Sequence, residues 1–235
     1  MPQPVACRRV VWSLAGGTSS PTLSEMNVEA TLNIAVIAWG SLLWNTGTLD
    51  IRTPWHGDGP ALPLEFARIS RGGRLTLVLF PNAENRPTFW AVSNFENLDD
   101  SKANLADREG SSVDAIHVCV RGADQEEPNF EDPAGKAEIT KWLLGRDGLD
   151  GAIWTGLASN WASKRGKEFS VDDAVRYLST LQGSALEAAR DYITRAPPQI
   201  DTPVRRAMRA RGWQDAALPA GLLAENQGNK RVDGS

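Results

Sequence analysis

Two short stretches of this chain carry residue types able to move a proton beside a held carbonyl group. The first is Trp39-Gly40-Ser41-Leu42-Leu43-Trp44, which follows the apolar run Ile34-Ala35-Val36-Ile37-Ala38. A Gly-Ser turn after a buried strand presents consecutive backbone N–H groups from a rigid support, and such a nest binds a carboxylate or a developing oxyanion. The second is Asp107-Arg108-Glu109-Gly110, at the end of a segment with helical spacing. A carboxylate partly withdrawn from water at that junction has a raised pKa and can serve as a general base. Read singly, the Gly-Ser pair is a turn and the Glu-Gly pair a helix stop.

The elements that must bring these stretches together are legible from periodicity. Residues 34–38 read as a buried strand, stopped at Trp39-Gly40-Ser41, with a polar Gly/Pro-rich connection over 45–60. Residues 62–70 and 75–80 read as strands joined by an Arg71-Gly72-Gly73-Arg74 hairpin turn, and 88–93 as a further strand. Leu98, Ala103, Leu105 and Ala106 predict a helix over 98–108 that ends at Glu109-Gly110, followed by a strand over 113–120. An acidic, Pro-containing stretch covers 124–133. Helices are then expected over 133–144, 170–181, 185–194 and 203–211, with one strand over 152–157. Ser170 with Asp173 three residues on is close to a capping box. The fold class expected is α+β: a small mixed or antiparallel sheet with helices over residues 31–123, and a mainly helical extension over 124–223 packed on it. Residues 1–30 read as a poorly ordered leader, with Met26 a candidate start, and 224–235 as a flexible tail.

Composition narrows the function classes. The 235 residues include 25 basic and 29 acidic side chains, a formal charge of −4, which offers no general attraction to nucleic acid or to an anionic membrane. No apolar run reaches the roughly 20 residues of a bilayer span, and Arg8-Arg9 before a short apolar stretch lacks a cleavage site. Cys7, Cys119, His56 and His117 are too few for a Cys/His zinc site or a disulfide framework. A reducing, cytoplasmic compartment and a protein without metal are expected. His117 and Cys119 lie two apart on one strand, a poor geometry for a nucleophile and its base. Glu65 and Arg68 read as a partner pair or as solvated charges, and Arg205, Arg206, Arg209 and Arg211 as a solvated basic helix face. The 9 Trp residues require a core or an aromatic-lined pocket. Trp44, Trp154, Asn160 and Trp161 are candidates to line it, the competing reading being that the later ones fill the interface between extension and sheet.

Taken together, residues 34–110 resemble the γ-glutamylcyclotransferase-like family, whose fold is a small mixed β-barrel with helices. That family opens with a strand ending in a Tyr-Gly-Ser-Leu loop, which Trp39-Gly40-Ser41-Leu42 matches except at its first residue. The continuation Leu43-Trp44-Asn45 is similar to the branch that acts on glutathione. The family's catalytic Glu follows a helix, often in an Arg-Glu context, and Arg108-Glu109 fits that place. The segment with Arg68, Ser70 and Arg71 resembles the family's second strand, with Arg68 and Arg71 as sources of local positive potential. The resemblance covers about one third of the chain and ends near Gly122.

It implies a cofactor-independent lyase or transferase that releases 5-oxoproline from a small-molecule γ-glutamyl amine or peptide. Glu109 would carry the proton, while Trp39, Gly40, Ser41, Leu42, Leu43, Arg68 and Ser70 would hold the substrate. The chemistry is economical, because a γ-glutamyl compound carries its own nucleophile and ring closure is intramolecular. The enzyme must remove a proton from an ammonium of pKa roughly 8 and hold charge on the carbonyl oxygen. Trp39 stands where the family has Tyr, so a phenolic hydroxyl is lost. Two alternatives on the same fold are a non-catalytic small-molecule-binding protein and an amide hydrolase or acyl-transfer enzyme.

Overall fold

Every residue of the first strand is apolar because both its faces are buried: none of Ile34–Ala38 is more than 1% exposed. The computed structural model describes residues 31–122 and 133–217. The leader, the acidic stretch and the tail expected at 1–30, 124–132 and 224–235 lie outside them. In chain order the strands are Ile34–Ala38 (β1), Ile51–His56 (β2), Ala61–Ile69 (β3), Leu75–Leu79 (β4), Asn85–Pro87 (β5), Phe89–Ser93 (β6), Ile116–Val120 (β7) and Gly151–Thr155 (β8). The helices are Leu98–Glu109 (α1), Pro133–Leu144 (α2), Trp161–Arg165 (α3), Val171–Thr180 (α4), Gly183–Arg195 (α5) and Pro203–Arg209 (α6). The fold is α+β.

A five-stranded mixed sheet has the order β2-β6-β1-β8-β7, in which only β1 and β8 run parallel. A three-stranded antiparallel sheet has the order β4-β3-β5. The chain passes from one sheet to the other at Thr88, between β5 and β6. Thr88 Oγ1 donates to the Pro60 carbonyl at 2.7 Å, and the Gly59 N–H donates to the Thr88 carbonyl at 3.1 Å. A Cβ on Gly59 would lie 2.8 Å from the Thr88 backbone, so this crossing needs a glycine.

Several expectations are corrected. The connection over 45–60 contains β2, hidden because Pro54 interrupts it; β2 is an edge strand, where proline is tolerated. The strand expected from residue 113 begins at Ile116, after a 3₁₀ turn over Val113–Ala115. The short helix α3 was not expected. The boundary expected at 123/124 cuts through the sheet, since β8 lies between β1 and β7. A parallel partner must come from a distant crossover, and the later segment supplies it.

Two charge readings also change. Glu65 is 2% exposed and accepts hydrogen bonds from the Phe66 and Val204 N–H groups at 2.7 and 3.3 Å, while Arg68 donates to the Ala158 carbonyl. They are neither a pair nor solvated. Arg205 is buried, donating to the Pro197 and Ile200 carbonyls and pairing with Asp215 at 3.0 Å. Arg206 and Arg209 pair with Glu84, Asp201 and Asp215, so α6 is a charge-matched helix rather than a free basic face.

Candidate functional site

Glu109 is the last residue of α1, and the helix is built to end there. The Asn97 side chain accepts the Asp100 N–H at the start, Asp99 and Asp100 occupy the first turn, and Gly110 closes the helix at φ 60°, ψ 38°. The last turn is tied to the loop after β1 by Arg108. Its guanidinium donates to the Thr46 carbonyl at 3.2 Å, to the Asn45 carbonyl, to Ser41 Oγ at 3.4 Å and to Glu109 Oε1 at 3.1 Å. Thr48 Oγ1 donates to Asp107 Oδ2 at 2.9 Å, and Asn104 bonds both the Asp50 N–H and the Thr48 carbonyl. These bonds fix the carboxylate relative to the Gly-Ser turn.

The turn itself is a 3₁₀ element over Ser41–Leu43, capped by Gly40 without a side-chain acceptor. The first N–H groups of such a turn have no partner inside it. Gly40, Ser41, Leu42 and Glu109 line one cavity of about 230 Å³, together with Trp39, Arg68, Ser70, Arg74, Thr155 and Tyr192. A register shift in the β3–β4 ladder between Phe66 and Arg68 sits directly before Arg68, and such shifts re-aim the side chains beside them.

The electrostatics favour proton transfer. Burial pushes the Glu109 carboxyl up from its ordinary value, and the positive charges of Arg108 and Arg74 partly oppose this. Its place at the negative end of the α1 dipole acts in the same direction as burial. The Tyr192 phenol, on α5, is buried and pushed up to about 12, by loss of water and then by the Glu109 charge. It is therefore a protonated donor at neutral pH. Arg74 lies over the Tyr192 ring, 5.0 Å from its centre.

Of the residues expected at the site, Trp39, Gly40, Ser41, Leu42, Arg68, Ser70 and Glu109 line this cavity. Leu43 does not: it is fully buried in the core. Trp44 packs edge-on against Tyr192 at 5.5 Å instead of lining the cavity. Trp154 is buried in β8 beside His117, with ring centres 6.0 Å apart. Asn160 is occupied in bonding the Ile69 N–H and carbonyl at 2.8 and 2.9 Å, and Trp161 packs on Phe169 and Tyr177. Trp39 donates to the Leu77 carbonyl at 3.4 Å. Cys119 is set against Thr140 of α2, at 3.3 Å, away from the cavity.

Arg74, Thr155 and Tyr192 were missed. In the sequence Arg74 reads as the closing residue of a hairpin turn, and the positive charge expected from Arg71 comes from it instead: Arg71 is exposed at the turn. Tyr192 sits in the apolar helical stripe with Ala189 and Ile193, which reads as core. Among the described residues no group of three or more His, Cys, Asp or Glu side chains could hold a metal ion. No helix among them is long and apolar enough to cross a membrane. Comparison with known proteins gives no match, whether to protein-family models, curated proteins or solved structures.

Proposed function

We propose that this protein is a γ-glutamylcyclotransferase-like enzyme that releases 5-oxoproline from a γ-glutamyl compound, on the barrel-type fold of that family. The observation that carries the reading is the convergence of Glu109 and the Gly40–Ser41–Leu42 backbone on one cavity, although 67 residues separate Ser41 from Arg108, the arginine that ties the two together. The glutamyl carboxylate is held by the amides of the turn, with the α-ammonium facing Glu109. Glu109 takes one proton from that ammonium, and the freed amine attacks the γ-carbonyl carbon. The C–O double bond opens to an oxyanion, which the neutral Tyr192 phenol and the backbone amides stabilise. On collapse the C–N bond to the departing amine breaks, Glu109 returns its proton to that nitrogen, and the ring nitrogen gives up its second proton, through Glu109, to the released amine, which departs as an ammonium. The products are 5-oxoproline and a free amine, and no cofactor enters the balance.

A raised carboxyl pKa suits this role, because proton transfer from an ammonium is less uphill as the base strengthens. The base works only when deprotonated, so kcat/KM falls as pH drops through the Glu109 pKa. Burial therefore shifts the acid limb of the profile above the ordinary carboxylate range. Glu109→Gln should lower 5-oxoproline release at least about 100-fold and abolish that limb. Equal rates for the two proteins would remove Glu109 from the reaction. Free glutamate in place of 5-oxoproline would identify an amide hydrolase, and binding without any release a non-catalytic binding protein.

A further inference from the structure

Strand β3 has a strand partner along only part of its second edge. β4 pairs with one edge over residues 64–69, whereas β5 pairs with the other only over residues 61–63. Beyond that point the second edge has no strand beside it among the described residues, although Ala67 is fully buried. Backbone N–H and C=O groups withdrawn from water need partners. The segment that follows β8 supplies them with side chains. Ser159 Oγ donates to the Ala67 carbonyl at 2.6 Å, Asn160 Nδ2 donates to the Ile69 carbonyl at 2.9 Å, and Asn160 Oδ1 accepts the Ile69 N–H at 2.8 Å. A primary amide carries an acceptor and a donor side by side, so Asn160 bonds Ile69 as a residue of a neighbouring strand would.

Arg68 stands between the two residues held in this way. Its guanidinium donates to the Ala158 carbonyl at 2.6 Å and lines the cavity, and no carboxylate among the described residues pairs with it. It follows directly on the register shift at Phe66/Arg68, so its direction depends on how the strand is held there. Thr155 and Leu157, just before Ala158, form part of the cavity wall, while Asn160 itself does not line it. A cation aimed in advance binds an anion without losing rotamer freedom at that moment. A misplacement of about 1 Å within a site can cost about 100-fold in rate.

We infer that Asn160, helped by Ser159, is a positioning residue: it stands in for a strand along β3 and so aims Arg68 at the carboxylate of the bound substrate. The clamp needs no reaction, and only the identity of that substrate rests on the reading above. Full-length protein carrying Asn160→Leu, which roughly keeps the size of the side chain and removes both bonds, tests it in two ways. In nitrogen–proton NMR spectra of the guanidinium groups, the Arg68 signals are identified by their absence in Arg68→Met. They should be sharp in the wild type and averaged in Asn160→Leu, and unchanged signals would overturn the proposal. With γ-glutamylglycine as substrate, Asn160→Leu should lower kcat/KM at least about tenfold. The loss should fall mainly on KM, because the carboxylate keeps its charge throughout ring closure. In the Arg68→Met background the same substitution should cost less than about twofold, since its effect passes through Arg68. Losses that multiply would show a merely structural role and overturn the proposal. Ser159→Ala, which deletes one hydroxyl, should give a partial effect in both measurements and takes the place of Asn160→Leu if that variant does not fold. Loss of the sharp Arg68 signals, in a protein whose wild type forms no 5-oxoproline, would uphold the clamp on Arg68 and overturn the cyclisation. Formation of 5-oxoproline, with signals and KM untouched by either substitution, would do the reverse.

Discussion

Gly40 is confined to a hydrogen at Cα by one atom: a Cβ built there would stand 2.6 Å from the Tyr192 hydroxyl oxygen but 3.7 Å from the ring carbon bearing it. Its φ, −127°, is not in the left-handed region that favours glycine, and the nearest obstacle to a side chain is the phenol. Gly40→Ala should destabilise the fold by about 1–3 kcal/mol through overpacking. Tyr192→Phe deletes the offending oxygen, so the alanine should cost less in that background. A double-mutant cycle by urea unfolding should return a coupling of about 1 kcal/mol, and strict additivity would mean that the two side chains do not meet. The same pair marks what could be read from the chain. The Gly-Ser turn and the Arg-Glu pair are local signals, carried by adjacent residues and backbone chemistry. Tyr192 is not, because a tyrosine at helical spacing between Ala189 and Ile193 has the pattern of an ordinary core residue. Only tertiary packing turns its hydroxyl into the cavity.

Strand β3 and helix α6 meet through a buried carboxylate. Glu65 accepts the Val204 N–H at the first turn of α6, which Thr202 also caps by accepting the Arg205 N–H at 3.4 Å. Burial pushes the Glu65 carboxyl up, with hydrogen bonds from Thr202, Phe66 and Val204 opposing it. The folded protein thus holds this proton more tightly than the unfolded chain does. That contribution to stability is complete below the unfolded carboxyl pKa and is lost as pH rises through the higher folded value. Wild type should therefore lose stability relative to Glu65→Gln as pH rises above the ordinary carboxylate range, read as urea midpoints at each pH. The opposite slope would show that the α6 amides dominate over burial. A second contact secures the other side of α6. Arg205→Met removes charged bonds to the Pro197 and Ile200 carbonyls and should cost about 2–3 kcal/mol in the same measurement. Neither role was visible in the sequence, where Glu65 is the lone acidic residue among the mostly apolar ones of β3 and Arg205 is one of several arginines. The elements carrying them were visible, because Leu62, Leu64 and Phe66 alternate along β3 and Pro203 follows a threonine cap. Periodicity reveals an element and its apolar face, but not which charged residue is drawn inside by a distant helix end.

On the scale of the whole molecule, the site and the sheet share one dependence on the later half of the chain. Strand β1, which ends in the Gly-Ser turn, is flanked by β6 on one side and β8 on the other. Among the described residues strand β7 has β8 as its only sheet neighbour. The cavity likewise takes Thr155 and Tyr192 from beyond residue 150. The family resemblance stopped near Gly122, and the acidic stretch after it resembled a linker, so composition suggested a divisible chain. Pairing across a sheet is set by register and burial, which leave no mark at the sequence boundary itself. A chain ending at residue 122 would expose β1 along one edge and leave β7 unpaired, with Ile34, Val36 and Cys119 losing the cover of β8. Such an apolar edge is a template for aggregation, not an independent fold. Expressed alone, residues 1–122 should lack the cooperative urea transition of the full chain and release no 5-oxoproline. Supplying residues 133–217 as a separate polypeptide should restore some of both, since the missing strand then arrives in trans. A cooperative transition in the short chain alone would mean that β1 can do without its parallel partner, and that the later segment is an appendage after all.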